Sequence, residues 1–177
     1  MKRELISAAA AALIGFAASQ AKAAADPSML LNKANVINYE EIEMAKTAKD
    51  KVNNNQGLTT FADILEADHK VNEDAVAALA RQKGVKIEGT PASVDVKVKQ
   101  LDNLTGGAFN EAFLRTEITD HEKAIALFER ARSEAAADPE MELYIGETLP
   151  VMKAHLEMAK ELQHHLKSSS ENQANNS

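Results

Sequence analysis

Residues 58–83 read LTTFADILEADHKVNEDAVAALARQK, and their apolar side chains recur three or four positions apart at Phe61, Leu65, Val76 and Leu79. That period belongs to one face of a long helix, not to a strand, whose side chains alternate every two residues. Thr59 or Thr60 is the expected cap, and Gly84 stops the helix in the usual C-terminal manner. The same row takes in His69 and Asn72, two polar residues that the spacing assigns to the interior.

The pattern repeats on either side. From Ser28 to Val52 an inward stripe runs through Leu30, Ala34, Ile37, Glu41, Ala45, Ala48 and Val52, opened by Asp26-Pro27-Ser28 and closed by a turn at residues 53–57. From Phe109 to Ala136 the stripe is Leu114, Ile118, His121, Ile125 and Phe128, with Glu117 one turn before His121. After Asp138-Pro139 a last helix runs to about His165 through Met141, Ile145, Thr148, Met152, His155, Ala159 and Leu162. Pro150 lies inside it and is expected to kink it. Between Gly84 and Gly107 the signal weakens, and residues 92–104 are read as a short helix. Four amphipathic helices with a long middle connection describe an all-α, up-down four-helix bundle with a crossover.

The start of the chain reads differently. Met1-Lys2-Arg3-Glu4 is basic, Leu5 to Ala18 is apolar, and Ala21-Lys22-Ala23 offers small residues at a cleavage point, the order of a secretory signal peptide. The expected layout is a signal at 1–23, a bundle at 26–166 and a disordered tail at 167–177, placing the mature chain in the periplasm with no integral membrane segment. Removing residues 1–23 from the 177 leaves 154, one domain's worth, with 17 basic and 26 acidic residues and a net charge of −9. So acidic a chain, without a basic cluster, is not expected to bind nucleic acid. With no cysteine, thiolate chemistry and disulfides are excluded, and any metal must take nitrogen and oxygen ligands. No P-loop or Ser-His-Asp order is readable, so no organic cofactor is expected and the sequence names no catalytic residue.

Each long helix thus carries one ionisable residue in its apolar row: Glu41, His69, His121 and His155. A buried polar group without a partner costs roughly 2–7 kcal/mol, and a shared cation would satisfy all four. Three imidazoles and a carboxylate suit a transition metal, zinc or iron first, whereas calcium and magnesium prefer oxygen alone. Glu66, three residues before His69, and Glu117 are further candidate ligands, and Asp68 a candidate acceptor behind a ligand. The fourth helix has Met152 where a second Glu-x-x-His would need an acid, which favours one ion over a complete pair. The rival reading is a metal-free polar network of Glu41, the three histidines, Asn72 and Thr148.

The run from Leu104 to Leu114 (LTGGAFNEAFL), then His121, Asp138-Pro139, Leu149-Pro150 with His155-Leu156 and Ala159, together with Glu41-Ile42 and Asp68-His69, resembles the ferritin-like bacterial domain-of-unknown-function family DUF4142. The likeness covers about residues 30–165. It implies a ferritin-like bundle, an exported protein of a group often described as outer-membrane proteins, and motif positions at Glu41, Asp68, His69, His121 and His155. It implies no reaction. Where the family has Gln, Asp and Tyr, this chain has Glu117, Asn110 and Phe113, and Glu66 replaces an apolar residue. Three functions are therefore carried forward: a periplasmic metal-binding protein, an iron-dependent oxidoreductase at the same place, and a structural or partner-binding bundle.

Overall fold

The structure is a computed structural model that describes residues 26–52, 54–89, 92–135 and 138–175. The expected signal at 1–23 lies outside the described residues, as do 176–177 at the end of the expected tail. Five helices follow one another, α1 (Ser28–Lys51), α2 (Gln56–Lys83), α3 (Ala92–Asp102), α4 (Gly106–Glu134) and α5 (Pro139–Asn175), with no strand among the described residues. The chain is all-α, as the spacing requires, and the short helix expected in the weak middle segment is present as α3. No described helix is long and apolar enough to cross a membrane.

The helix ends show where local chemistry overrides periodicity. α2 begins ahead of the expected threonine caps because the side chain of Asn55 accepts the amide of Leu58 at 3.1 Å. Its other end closes on Gly84 at φ +67°, a left-handed conformation that glycine adopts without a Cβ penalty. Asp138 takes its expected role, accepting the amide of Met141 at 3.2 Å at the head of α5. Past Pro150 the helix continues unbroken, with the proline exposed on the outer side where the donor it lacks leaves no buried carbonyl short. α5 also runs to Asn175, beyond the boundary near residue 166 that its apolar stripe indicates. There Ser168 and Ser169 hydroxyls donate back to the carbonyl of His165, and Ser170 to that of Lys167, so the serine side chains find partners along their own helix.

Direction is set by ties between helix ends. Lys51, at the end of α1, reaches the Asp102 carboxylate at 3.0 Å and the Leu104 carbonyl at 3.4 Å, just before α4 begins. Lys83, at the end of α2, bonds Asp138 at 2.5 Å and Glu140 at 2.9 Å, where α5 begins. So α1 opposes α4, α2 opposes α5, and α2 and α4 run the same way. The connection from Val85 to Thr105 must therefore travel the full length, and α3 lies along it against α1 and α4.

The interior has two apolar halves. One gathers Leu31, Val76, Phe128, Tyr144 and Ile145, with the Phe128 and Tyr144 rings 5.8 Å apart. The other gathers Met44, Leu65, Phe109, Phe113 and Leu114, with Phe109 stacked on Phe113 at 5.9 Å. Burying each such large side chain contributes about 1.5–3 kcal/mol. Between the halves, one turn on each long helix places Glu41, His69, Glu117, His121 and His155, all nearly or fully buried.

Candidate metal centre

Three rings meet in this middle layer: His69 from α2, His121 from α4 and His155 from α5, with centroids 5.3–5.9 Å apart. One ring nitrogen of each lies within 4.8 Å of the other two. The period that aligns each with its apolar row also brings the rows together, so the convergence follows from ordinary helix packing.

The outer nitrogen of each ring is committed. His121 Nδ1–H donates to the backbone carbonyl of Glu117 at 3.0 Å, and His155 Nε2–H donates to the Asp68 carboxylate at 2.9 Å. A carbonyl and a carboxylate can only accept, so they assign the tautomers. His69 Nδ1–H donates to Asn38 Oδ1 at 3.0 Å, since the Asn38 amide nitrogen is used on Asn72 at 2.9 Å. The inner nitrogens are consequently bare. His121 Nε2 faces His155 Nδ1 at 3.2 Å, two acceptors in the neutral rings, and His69 Nε2 is buried with no hydrogen-bond partner.

Protonation does not readily resolve this. Burial holds His69 well below the ordinary histidine pKa, reinforced by His121 and His155, and burial likewise lowers His155 against the opposing pull of Asp68. A cation between the three nitrogens would fit the donor set: three neutral imidazoles, each held by an acceptor behind it, as metal-ligating histidines are.

Glu41 belongs to a second group. It lies with Glu117 and His121, one ligand atom of each within 4.8 Å of the others, on the α1/α4 side of the layer. His121 Nδ1 is 3.5 Å from Glu117 Oε2. Both Glu117 oxygens and Glu41 Oε2 are buried without a hydrogen-bond partner. Burial raises the pKa of each carboxyl group; Glu41 adds to the rise at Glu117, while His121 and Glu117 draw Glu41 partly back. The geometry thus divides the expected set in two, with His121 common to both.

The remaining candidates separate cleanly. Asp68 is the acceptor behind His155, with its own side chain 46% exposed. Glu66 joins neither group: Lys70 at 2.5 Å and Lys49 at 2.9 Å hold it as a carboxylate, its pKa drawn down to about 2. Thr148 and Asn72 form the polar network anticipated from their stripes, Asn72 donating to Thr148 at 3.1 Å and accepting from Tyr144 at 3.1 Å. Asn38 and Tyr144 were not anticipated. Asn38 stands four residues after Ala34 and three before Glu41, a helical step that would have found it beside Ile37.

A groove of about 230 Å³ between α2 and α5 reaches His69 and His155, with Asp68 and Glu147 on its lining. Another, between α1 and α4, reaches Glu41 past Glu40, Glu88 and Asp120.

Neither a curated protein nor a solved structure matches the chain. One family model does, the domain of unknown function DUF4142, over residues 15–162. The unbroken span of that match, which takes in every residue of the buried layer, places the chain in the DUF4142 family.

Proposed function

We propose that the protein binds a transition-metal ion, zinc or iron first, through His69, His121 and His155 inside a ferritin-like four-helix bundle. The observation that carries this reading is the convergence of three inward-facing imidazole nitrogens, that of His69 without any partner and those of His121 and His155 facing each other, while the outer nitrogens are all hydrogen-bonded. The parallel course of α2 and α4 supports the ferritin-like arrangement, in which one connection runs the length of the bundle. The basic, apolar, small-residue order of residues 1–23 supports export to the periplasm, where the cysteine-free site takes a metal by ligand type and availability.

The Glu-x-x-His pattern that would support an iron oxidoreductase is weakened by the two lysines on Glu66. The metal-free alternative draws on the closed Asn38, Asn72, Thr148 and Tyr144 network, but that network satisfies none of the inner nitrogens. Elemental analysis of protein recovered from the exported fraction tests the reading. One transition-metal ion per chain, lost in His69→Ala, supports it. A folded wild-type chain without metal, even after incubation with zinc, overturns it.

A further inference from the structure

The three-histidine reading leaves Glu41 and Glu117 unexplained. Glu117 is completely buried, neither carboxyl oxygen has a hydrogen-bond donor, and Glu41 Oε2 is in the same position. Without a cation the pair can avoid facing two buried charges only by keeping a proton between them, which is costly at neutral pH, and replacing either by an apolar residue would be the simple remedy. Lys97, projecting from α3, bonds Glu40 and Asp120 rather than the pair, and its charge opposes the rise at Glu117 only weakly.

We propose that Glu41 and Glu117 hold a second divalent cation, of the harder class that prefers oxygen, beside the ring of His121. Two carboxylates neutralise such an ion, so a neighbouring charge at the histidine group is tolerated better than it would be across neutral ligands. The donor sets sort the ions. Imidazole nitrogen favours zinc, and paired carboxylates favour manganese or ferrous iron.

Access is separate as well. The α1/α4 groove leads to Glu41, whereas the α2/α5 groove leads to His69 and His155 on the opposite side of the helical array. The lining of the first groove is of mixed charge, Glu40, Glu88 and Asp120 beside Lys33 and Lys123, so selection of the ion rests on the buried carboxylate pair itself. The two groups share His121 alone, so the second site deepens the metal-binding reading yet can fail by itself.

The test uses the purified chain, stripped with a chelator, saturated with zinc and then titrated with Mn²⁺, following loss of the free-ion electron paramagnetic resonance signal. Wild type is expected to take up one Mn²⁺ per chain. Glu117→Gln, which preserves shape, and Glu41→Gln should each weaken uptake by roughly tenfold or more, while His69→Ala keeps Mn²⁺ and loses zinc. Two zinc ions in wild type and one in Glu117→Gln support the site equally. No uptake of a second ion by folded wild type, or uptake unchanged in both glutamine variants, overturns it. Zinc binding unaffected by His69→Ala overturns the three-histidine reading instead, and circular dichroism of each variant confirms that a folded chain is being compared.

Discussion

His121 Nε2 and His155 Nδ1 lie 3.2 Å apart, while the far nitrogen of each ring donates, to the Glu117 carbonyl and the Asp68 carboxylate, so that in the neutral rings both inner nitrogens are acceptors. Two acceptors at that separation repel unless something positive lies between or beside them. The hydrogen bonds that orient the rings therefore also leave a place that a proton or a metal cation would fill.

Asp68 acts through His155. Replacing it by Ala removes the acceptor that fixes the tautomer and the ring, so zinc affinity should fall by about 10–100-fold with the folded state retained. Competition against a chromogenic chelator reads the change; an unaltered affinity would mean that His155 is held by something else.

Glu117→Gln should stabilise the metal-free chain at neutral pH. Burial and Glu41 raise the Glu117 pKa well above the ordinary 4.5, so the folded chain keeps a proton that the unfolded chain releases. That difference makes wild-type stability fall as pH rises from about 4.5, and glutamine does not titrate. A gain of roughly 1–3 kcal/mol near pH 7, shrinking toward zero on acidification, is expected from urea unfolding with chelator present. A less stable variant at both pH values would contradict the assigned cost of the carboxyl pair.

The histidines give the opposite slope. His69 and His155 sit below the usual 6.5, so on acidification the unfolded chain takes up protons that the folded chain resists. Their contribution is fully present above pH 6.5 and is lost as pH falls toward the folded-state values. Thermal melts of the metal-free chain should drop over that window, and saturating zinc should carry the drop to lower pH. Identical profiles with and without zinc would argue against metal on the rings.

Phe113→Ala separates stability from binding. Phe113 is fully buried, stacked on Phe109 and packed near Phe61 at 6.1 Å, in the apolar half away from the histidine groove. The substitution should cost about 3–5 kcal/mol yet leave metal stoichiometry unchanged in whatever fraction remains folded. Loss of metal from folded Phe113→Ala would show that the polar layer depends on that packing.

Much of this was legible in the sequence for a physical reason: a helix writes its buried face into the chain every three or four residues. Hence His69, His121 and His155 could be assigned to one interior from their rows alone, and so could Glu117 beside His121. Periodicity specifies which face a residue occupies but not its lateral place within the layer, and for that reason Glu41 was grouped with the histidines although it stands on the α1/α4 side with Glu117. Spacing likewise made Glu66 resemble a ligand, since one turn separates it from His69. Of its actual partners, Lys70 stands one turn on along its own helix, but Lys49 emerges only when α1 packs beside it. Helix ends were the least legible part, set by single side chains such as Asn55 and the serines beyond His165.

The connection that runs the length of the molecule also sets an order of assembly. Only four residues separate α1 from α2, and four α4 from α5, so each pair can form early through contacts close in sequence. Neither pair holds a complete ligand set: Glu41 and His69 are on the first, and Glu117, His121 and His155 on the second. A cation at the proposed sites could be gripped only after the two hairpins have docked across the long-range closure. Metal would thus act as a latch on the last step of folding, holding the hairpins together by slowing their separation more than by hastening their encounter.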